Sequence, residues 1–156
     1  MGKFSSTGVA AILAALMAGG CTTDGIDKTA TTSIAPVTAD ISEADLAAGK
    51  AQFRAANYGL AEQHFRKAVE LRADNSEAWM GLAASYDQLG RFDFADRAYE
   101  QLLKVAGRKP RIVNNMGYSQ LLRGNEKKAR ALLLEARRGM TDTTVVDANL
   151  ALLDRA

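Results

Sequence analysis

The sequence is short of the residues that most chemistry needs. It has one cysteine, Cys21, and one histidine, His64, in 156 residues. A single thiol builds no disulfide framework, and a single imidazole excludes a histidine-rich metal site. Ser/His/Asp and Cys/His arrangements are unsupported, and no glycine-rich phosphate loop follows a strand, because no strand period is visible. Acid pairs such as Asp93 and Asp96 stand one helical turn apart and suit a wet helix face better than acid–base work. An excess of one charge is missing too: 20 basic residues face 18 acidic ones, which gives no push toward nucleic acid or anionic membrane. The basic runs Lys127, Lys128, Arg130 and Arg137, Arg138 read as solvated faces, and His64 as packing or surface. Long apolar runs are also absent. The longest, residues 9–18 (VAAILAALMA), is about half of what a helix needs to cross a bilayer. These absences point away from an enzyme, a cofactor or metal protein, a small-molecule binder and a nucleic-acid binder.

What the chain does have is a period. Ala61, Ala95 and Ala129 are 34 positions apart. In blocks starting at Ser42, Ser76 and Pro110, the seventh position holds Ala48, Leu82 and Met116 and the eighth holds the small residues Gly49, Ala83 and Gly117. A turn follows at Ala56, Gly90 and Gly124, then Asn57, Arg91 and Asn125. Position 24 carries Phe65, Tyr99 and Leu133, and position 27 carries Ala68, Leu102 and Ala136. Small residues at the eighth and twentieth positions let two helices approach closely. Glycine at the turn frees the backbone to end the first helix, and the large residue at position 24 fills the space between hairpins. Leu60, Ala61, Phe65, Ala68, Val69 and Leu71 follow helical spacing. Pro110 opens the third block, where a helix tolerates proline. The register continues through Asp147, Leu150 and Ala151, so residues 144–156 are expected to form a capping helix with Leu150, Leu152 and Leu153 inward and Asp147, Asp154 and Arg155 in water.

This pattern resembles the tetratricopeptide repeat family. The middle block matches best, through Trp79, Leu82, Tyr86, Gly90, Phe92, Ala95 and Tyr99; in the first, Asp45 and Gln52 replace expected apolar or aromatic residues. The resemblance implies an all-α solenoid of about three helical hairpins (42–75, 76–109, 110–143) plus the C-terminal cap. It also implies that positions 2, 5, 9, 12 and 13 line a concave groove for a protein partner, a peptide or an amphipathic helix. Those positions are Glu43, Leu46, Lys50, Phe53 and Arg54; Glu77, Met80, Ala84, Asp87 and Gln88; and Arg111, Asn114, Tyr118, Leu121 and Leu122. Lys50, Arg54 and Arg111 are candidates to pair with a carboxylate. Of the family's carboxylate-clamp set only Asn114 and Arg111 give a hint.

The N-terminal segment has the tripartite layout of a secretory signal peptide: Lys3, the apolar run 9–18, then small residues before Cys21. Leu16-Met17-Ala18-Gly19-Gly20-Cys21 resembles a bacterial lipobox, with Ala18 where leucine is usual. That implies a signal segment over 1–20 and a lipidated Cys21, the alternative being simple cleavage that leaves a free thiol. Several acyl chains would anchor the protein permanently, since each buried methylene contributes about 0.8 kcal/mol. Thr22 rather than aspartate follows the cysteine, which implies the periplasmic face of the outer membrane of a Gram-negative bacterium. Residues 21–41 read as a flexible tether, rich in Thr and Ala and broken by Gly25 and Pro36.

Lipobox, tether and repeats together resemble the TadD-type lipoproteins of tight-adherence (Flp) pilus systems. The residues that carry this are Val113-Asn114-Asn115-Met116-Gly117-Tyr118-Ser119, the stretch 129–138, and Asn149-Leu150-Ala151-Leu152. The resemblance implies a periplasmic factor that helps a secretin insert, oligomerise or dock. A type IV pilotin, a scaffold for outer-membrane protein or cell-wall machinery, and a lipoprotein that activates a cell-wall enzyme stay open beside it.

Overall fold

The computed structural model describes residues 34–155. The signal segment, Cys21 and the tether up to residue 33 lie outside the described residues. Seven helices and no strand make up the described part: α1 (Ile34–Arg54), α2 (Tyr58–Leu71), α3 (Ser76–Gln88), α4 (Phe92–Ala106), α5 (Pro110–Leu122), α6 (Glu126–Arg138) and α7 (Thr144–Leu153). They form three antiparallel hairpins, α1–α2, α3–α4 and α5–α6, closed by α7.

The same turn ends the first helix of every hairpin. Ala56, Gly90 and Gly124 all have positive φ (58°, 68° and 74°). The amides of Asn57, Arg91 and Asn125 reach back to the carbonyls of Gln52, Tyr86 and Gln120 at 2.9, 2.9 and 2.8 Å. The amides of Ala56, Gly90 and Gly124 bond the carbonyls of Phe53, Asp87 and Leu121. This paired closure satisfies the last carbonyls of a helix and needs a left-handed residue. Gln52 and Gln120 add a side-chain latch: the Asn57 and Asn125 amides donate to their Oε1 atoms at 2.9 and 3.0 Å. At the start of α3, Asn75 Oδ1 accepts from the amides of Glu77 and Ala78, capping the helix.

Close approach explains the small residues. A Cβ added at Gly49 would sit 2.8 Å from the Phe65 ring, and one at Gly117 2.8 Å from Leu133. A Cβ on Gly81 of α3 would also collide with Phe65, so this ring fills the space between the first hairpin and the second. Ala61, Ala68, Ala83, Ala95 and Ala129 are fully buried and Ala136 nearly so, which gives each helix pair its short separation.

α1, α3, α5 and α7 contact one another in succession, whereas α2, α4 and α6 do not. The first helices therefore lie on the inner, shorter side of a curved stack. The apolar interior comes in two parts. Leu46, Phe65, Val69, Leu82, Tyr99, Leu102 and Ile112 belong to one, and Val113, Leu133, Val146 and Leu153 to the other. α5 straddles them, with Ile112 in the first and Val113 in the second.

Two expectations need correction. α1 begins at Ile34, not at Ser42, so the tether's last eight residues are helical; Pro36 falls in the first turn, where its missing N–H has no carbonyl to bond. Leu60 and Leu71 keep the helical spacing of α2 but are exposed, at 47% and 42%, because they lie off the Ala61–Phe65–Ala68 face that meets the core. Leu152 is 43% exposed; the inward face of α7 is Val146, Leu150 and Leu153, spaced four and three apart as a helix requires.

Candidate functional site: the concave groove

The inner helices place the groove positions side by side. Lys50, Phe53 and Arg54 from α1, Glu77, Met80, Gly81 and Ala84 from α3, and Arg111 from α5 surround a cavity of about 300 Å³ floored by Phe65. A second cavity of about 300 Å³ continues it, walled by Phe53, Ala84, Asp87, Gln88, Tyr99, Asn115 and Tyr118. A third, of about 290 Å³, opens beside the first between Ser76, Glu77, Met80, Lys109 and Arg111. Within the groove, Lys50 Nζ meets Glu77 Oε1 at 2.9 Å, tying α1 to α3. Asn115 Nδ2 donates to Met80 Sδ at 2.8 Å, tying α3 to α5.

Lys50, Phe53, Arg54, Glu77, Met80, Gln88, Arg111 and Tyr118 thus stand along the groove where their register positions expect them. Five expected lining residues, Glu43 among them, are not free to face the groove. Leu46 is core, 4% exposed, because its turn of α1 faces α2. Asn114 is buried, and its Oδ1 accepts from Asn149 of α7, so the cap occupies it. Leu121 packs against the C-terminal core. Asp87 borders the second cavity, but its carboxylate is spoken for from within. On the outside, Glu43 is turned to Arg72 at 2.9 Å. Asp45 pairs with His64, Oδ1 to Nδ1 at 2.8 Å, which accounts for an acid where an apolar residue is expected.

The Asp87 network is what sequence reasoning missed. Tyr99 Oη donates to Asp87 Oδ2 at 2.9 Å and Ser119 Oγ to Oδ1 at 2.6 Å. Arg123 Nη2 lies 3.7 Å from Oδ1 and binds Asp96 through both of its terminal nitrogens, at 2.7 and 2.9 Å, beneath the ring of Phe92. The network joins α3, α4 and α5 between the two apolar cores. Burial raises the Asp87 carboxyl above its ordinary value, against the opposing pull of Ser119, Tyr99 and Arg123. Burial, then the Asp87 charge, raises the Tyr99 phenol strongly. The hydrogen bonds from Arg123 lower the Asp96 carboxyl. The signal was there in part: Ser119 and Arg123 are four apart on one helix face.

No His, Cys, Asp and Glu group among the described residues is arranged to hold a metal ion. No described helix is long and apolar enough to cross a membrane. What the geometry offers is a curved surface with separate niches for side chains and no reactive constellation within it.

A stack of helical hairpins with an open inner groove defines a class of protein-interaction scaffold. The family model described as "Tetratricopeptide repeat" matches residues 52–114. The TPR domain of Arabidopsis OM64 superposes with a TM-score of 0.66 at 16% identity, covering 76% of this chain and 98% of that one. Pseudomonas aeruginosa pilF superposes with a TM-score of 0.62 at 25% identity, covering 76% of this chain and 54% of that one, so this chain spans about half the length of that protein. No curated protein matches the sequence. The fold is a tetratricopeptide repeat solenoid, an architecture that typically serves as a non-catalytic scaffold for protein–protein interaction.

Proposed function

We propose that this protein is a membrane-tethered adaptor that holds a segment of another protein in its concave groove while a pilus or secretion apparatus is assembled at the outer membrane. The groove itself is the observation that carries the adaptor reading: two adjoining cavities of about 300 Å³, each edged by polar groups and walled by Phe53, Met80, Ala84 or Tyr118. A few apolar anchors in such niches supply most of the affinity of a docked peptide, and the polar rim sets its orientation. Tethering rests on Cys21 and its lipobox-like surroundings, and the pilus role on the resemblance of residues 113–119, 129–138 and 149–152 to TadD-type lipoproteins. The likeness to pilF supports a pilus-related role. A secretin is the partner this reading favours.

Two experiments test it. Metabolic labelling with a radioactive fatty acid should mark the wild-type protein and not Cys21→Ser; equal labelling of both, or of neither, removes the lipid anchor. Deletion of the gene should abolish secretin multimers and surface pili. Intact multimers and pili in the deletion strain remove the pilus role while leaving an adaptor for other cell-envelope machinery.

A further inference from the structure

The groove is charged out of proportion to the chain. The whole sequence carries a formal net charge of only +2. On the outer surface several cations meet carboxylates, Arg72 with Glu43, Arg108 with Glu135, Arg130 with Asp154 and Arg137 with Asp147, while others such as Lys67, Arg97 and Lys104 are unpaired among the described residues but scattered. Around the first and third cavities the balance fails. Lys50, Arg54, Lys109 and Arg111 face Glu77 alone, and Glu77 is neutralised by Lys50. Arg54, Lys109 and Arg111 are exposed and meet no carboxylate within ion-pair distance among the described residues. The opposite end of the inner surface differs in kind. α7 continues the register, and its second, fifth and ninth positions are Val145, Ala148 and Leu152, all exposed. Leu122, at the thirteenth position of the third block, is also exposed, at 36%. The inner surface is therefore cationic from α1 across to the start of α5 and apolar on α7.

Resting on the adaptor reading, we infer that the groove takes a polarised segment of a protein partner: carboxylate side chains beside a large apolar anchor at the α1 end, and apolar side chains without charge at the α7 end. Arg54 and Arg111 are the selective elements. Each can meet a carboxylate with paired hydrogen bonds, and both border the niche whose floor is Phe65 and whose wall is Met80, so charge and anchor are read together. A lysine-bearing segment would bring like charges together over three free cations and is rejected. The polarity also sets the direction in which the segment lies.

The probes are two series of short synthetic amphipathic peptides with identical apolar residues, one with glutamates beside the terminal leucine or phenylalanine, the other with lysines there. Binding to the 34–156 portion and to the full chain is read by fluorescence anisotropy at two salt concentrations. The glutamate series should bind roughly tenfold tighter or better, with affinity falling as salt rises. The Arg54→Glu/Arg111→Glu variant, checked for native helicity and Tm, should reverse the preference toward the lysine series. Leu152→Ser should weaken the glutamate series without changing its salt dependence. Equal binding of both series, or a preference unmoved by the double charge reversal in a folded variant, overturns the polarity and leaves the adaptor reading standing. Binding of neither series at millimolar concentration overturns both.

Discussion

At the scale of the residue, Asp87 has the most at stake. Its two carboxylate oxygens satisfy Tyr99 and Ser119 and compensate part of the Arg123 charge, all in the space between two apolar cores. Asp87→Ala would leave two buried hydroxyls and a guanidinium short of acceptors. That variant should lose about 3 kcal/mol of stability in urea unfolding, whereas Asp87→Asn, which keeps one oxygen and the shape, should lose less than half as much. The acid dependence has a definite sign. Because its folded pKa is raised, Asp87 contributes stability that is fully present below the unfolded value and is lost as pH rises through the folded value. The gap between wild type and Asp87→Asn should therefore widen as pH is lowered from 7 toward 4. A gap that narrows on acidification would show that the carboxyl is not raised. None of this was visible when Asp87 was placed in the groove by its register position. The register located its backbone correctly, but which way a carboxylate is satisfied depends on Tyr99, Ser119 and Arg123, up to 36 residues away in sequence.

At the scale of the element, the repeat is the unit, and its turn is its most legible part. Positions 56, 90 and 124 share one backbone conformation, yet the first is alanine. A non-glycine residue at positive φ is strained, so Ala56→Gly should stabilise the protein by about 0.5–1 kcal/mol, read as a higher urea midpoint with unchanged slope. The gain is bounded because glycine also loosens the unfolded chain. Ala95 tests the register from the other side. It is fully buried on α4 against α3, and Ala95→Leu should cost about 2 kcal/mol by overpacking. A variant at wild-type stability would mean that the helices are not held at that separation. Hairpin boundaries, turns and the small-residue seams could be read from the sequence because each follows from a local steric requirement repeated at one period. The start of α1 could not, because residues 34–41 (IAPVTADI) carry no clear helical period and Pro36 breaks a helix only beyond its first turn. Leu152 was misplaced for a different reason. Leucine on a short terminal helix can face either the core or the open groove, and Val146, Leu150 and Leu153 had already filled the inward face.

At the scale of the molecule, a solenoid's stability is close to a sum of its repeats and the interfaces between neighbours. The interfaces here are unequal. Phe65 plugs the junction of the first and second hairpins with an apolar ring set against Gly49 and Gly81. The junction of the second and third is held instead by the Ser119–Asp87 bond, the Arg123–Asp96 pair and the Asn115–Met80 contact, with Ile112 and Met116 as its apolar share. Polar bonds of this kind each contribute about 1 kcal/mol net, while a well-packed aromatic contributes more. The weak link should therefore lie between α4 and α5. Native-state hydrogen exchange should show α5–α7 opening as one unit at lower free energy than α1–α4, because the second core, Val113, Leu133, Val146 and Leu153, stays whole within that unit. Asp87→Ala should widen the difference and split thermal unfolding into two transitions, the lower one carrying α5–α7. A Phe65→Leu variant is the control: it weakens the other junction and should lower the protection of α1–α2 instead. If Asp87→Ala lowered protection equally in all seven helices, the array would be one cooperative block and the polar junction would bind as firmly as the aromatic one. The same junction borders the second groove cavity through Asp87 and Tyr99. A segment bound across Phe53, Gln88 and Tyr118 would span it and should raise the protection of α5–α7 toward that of the rest.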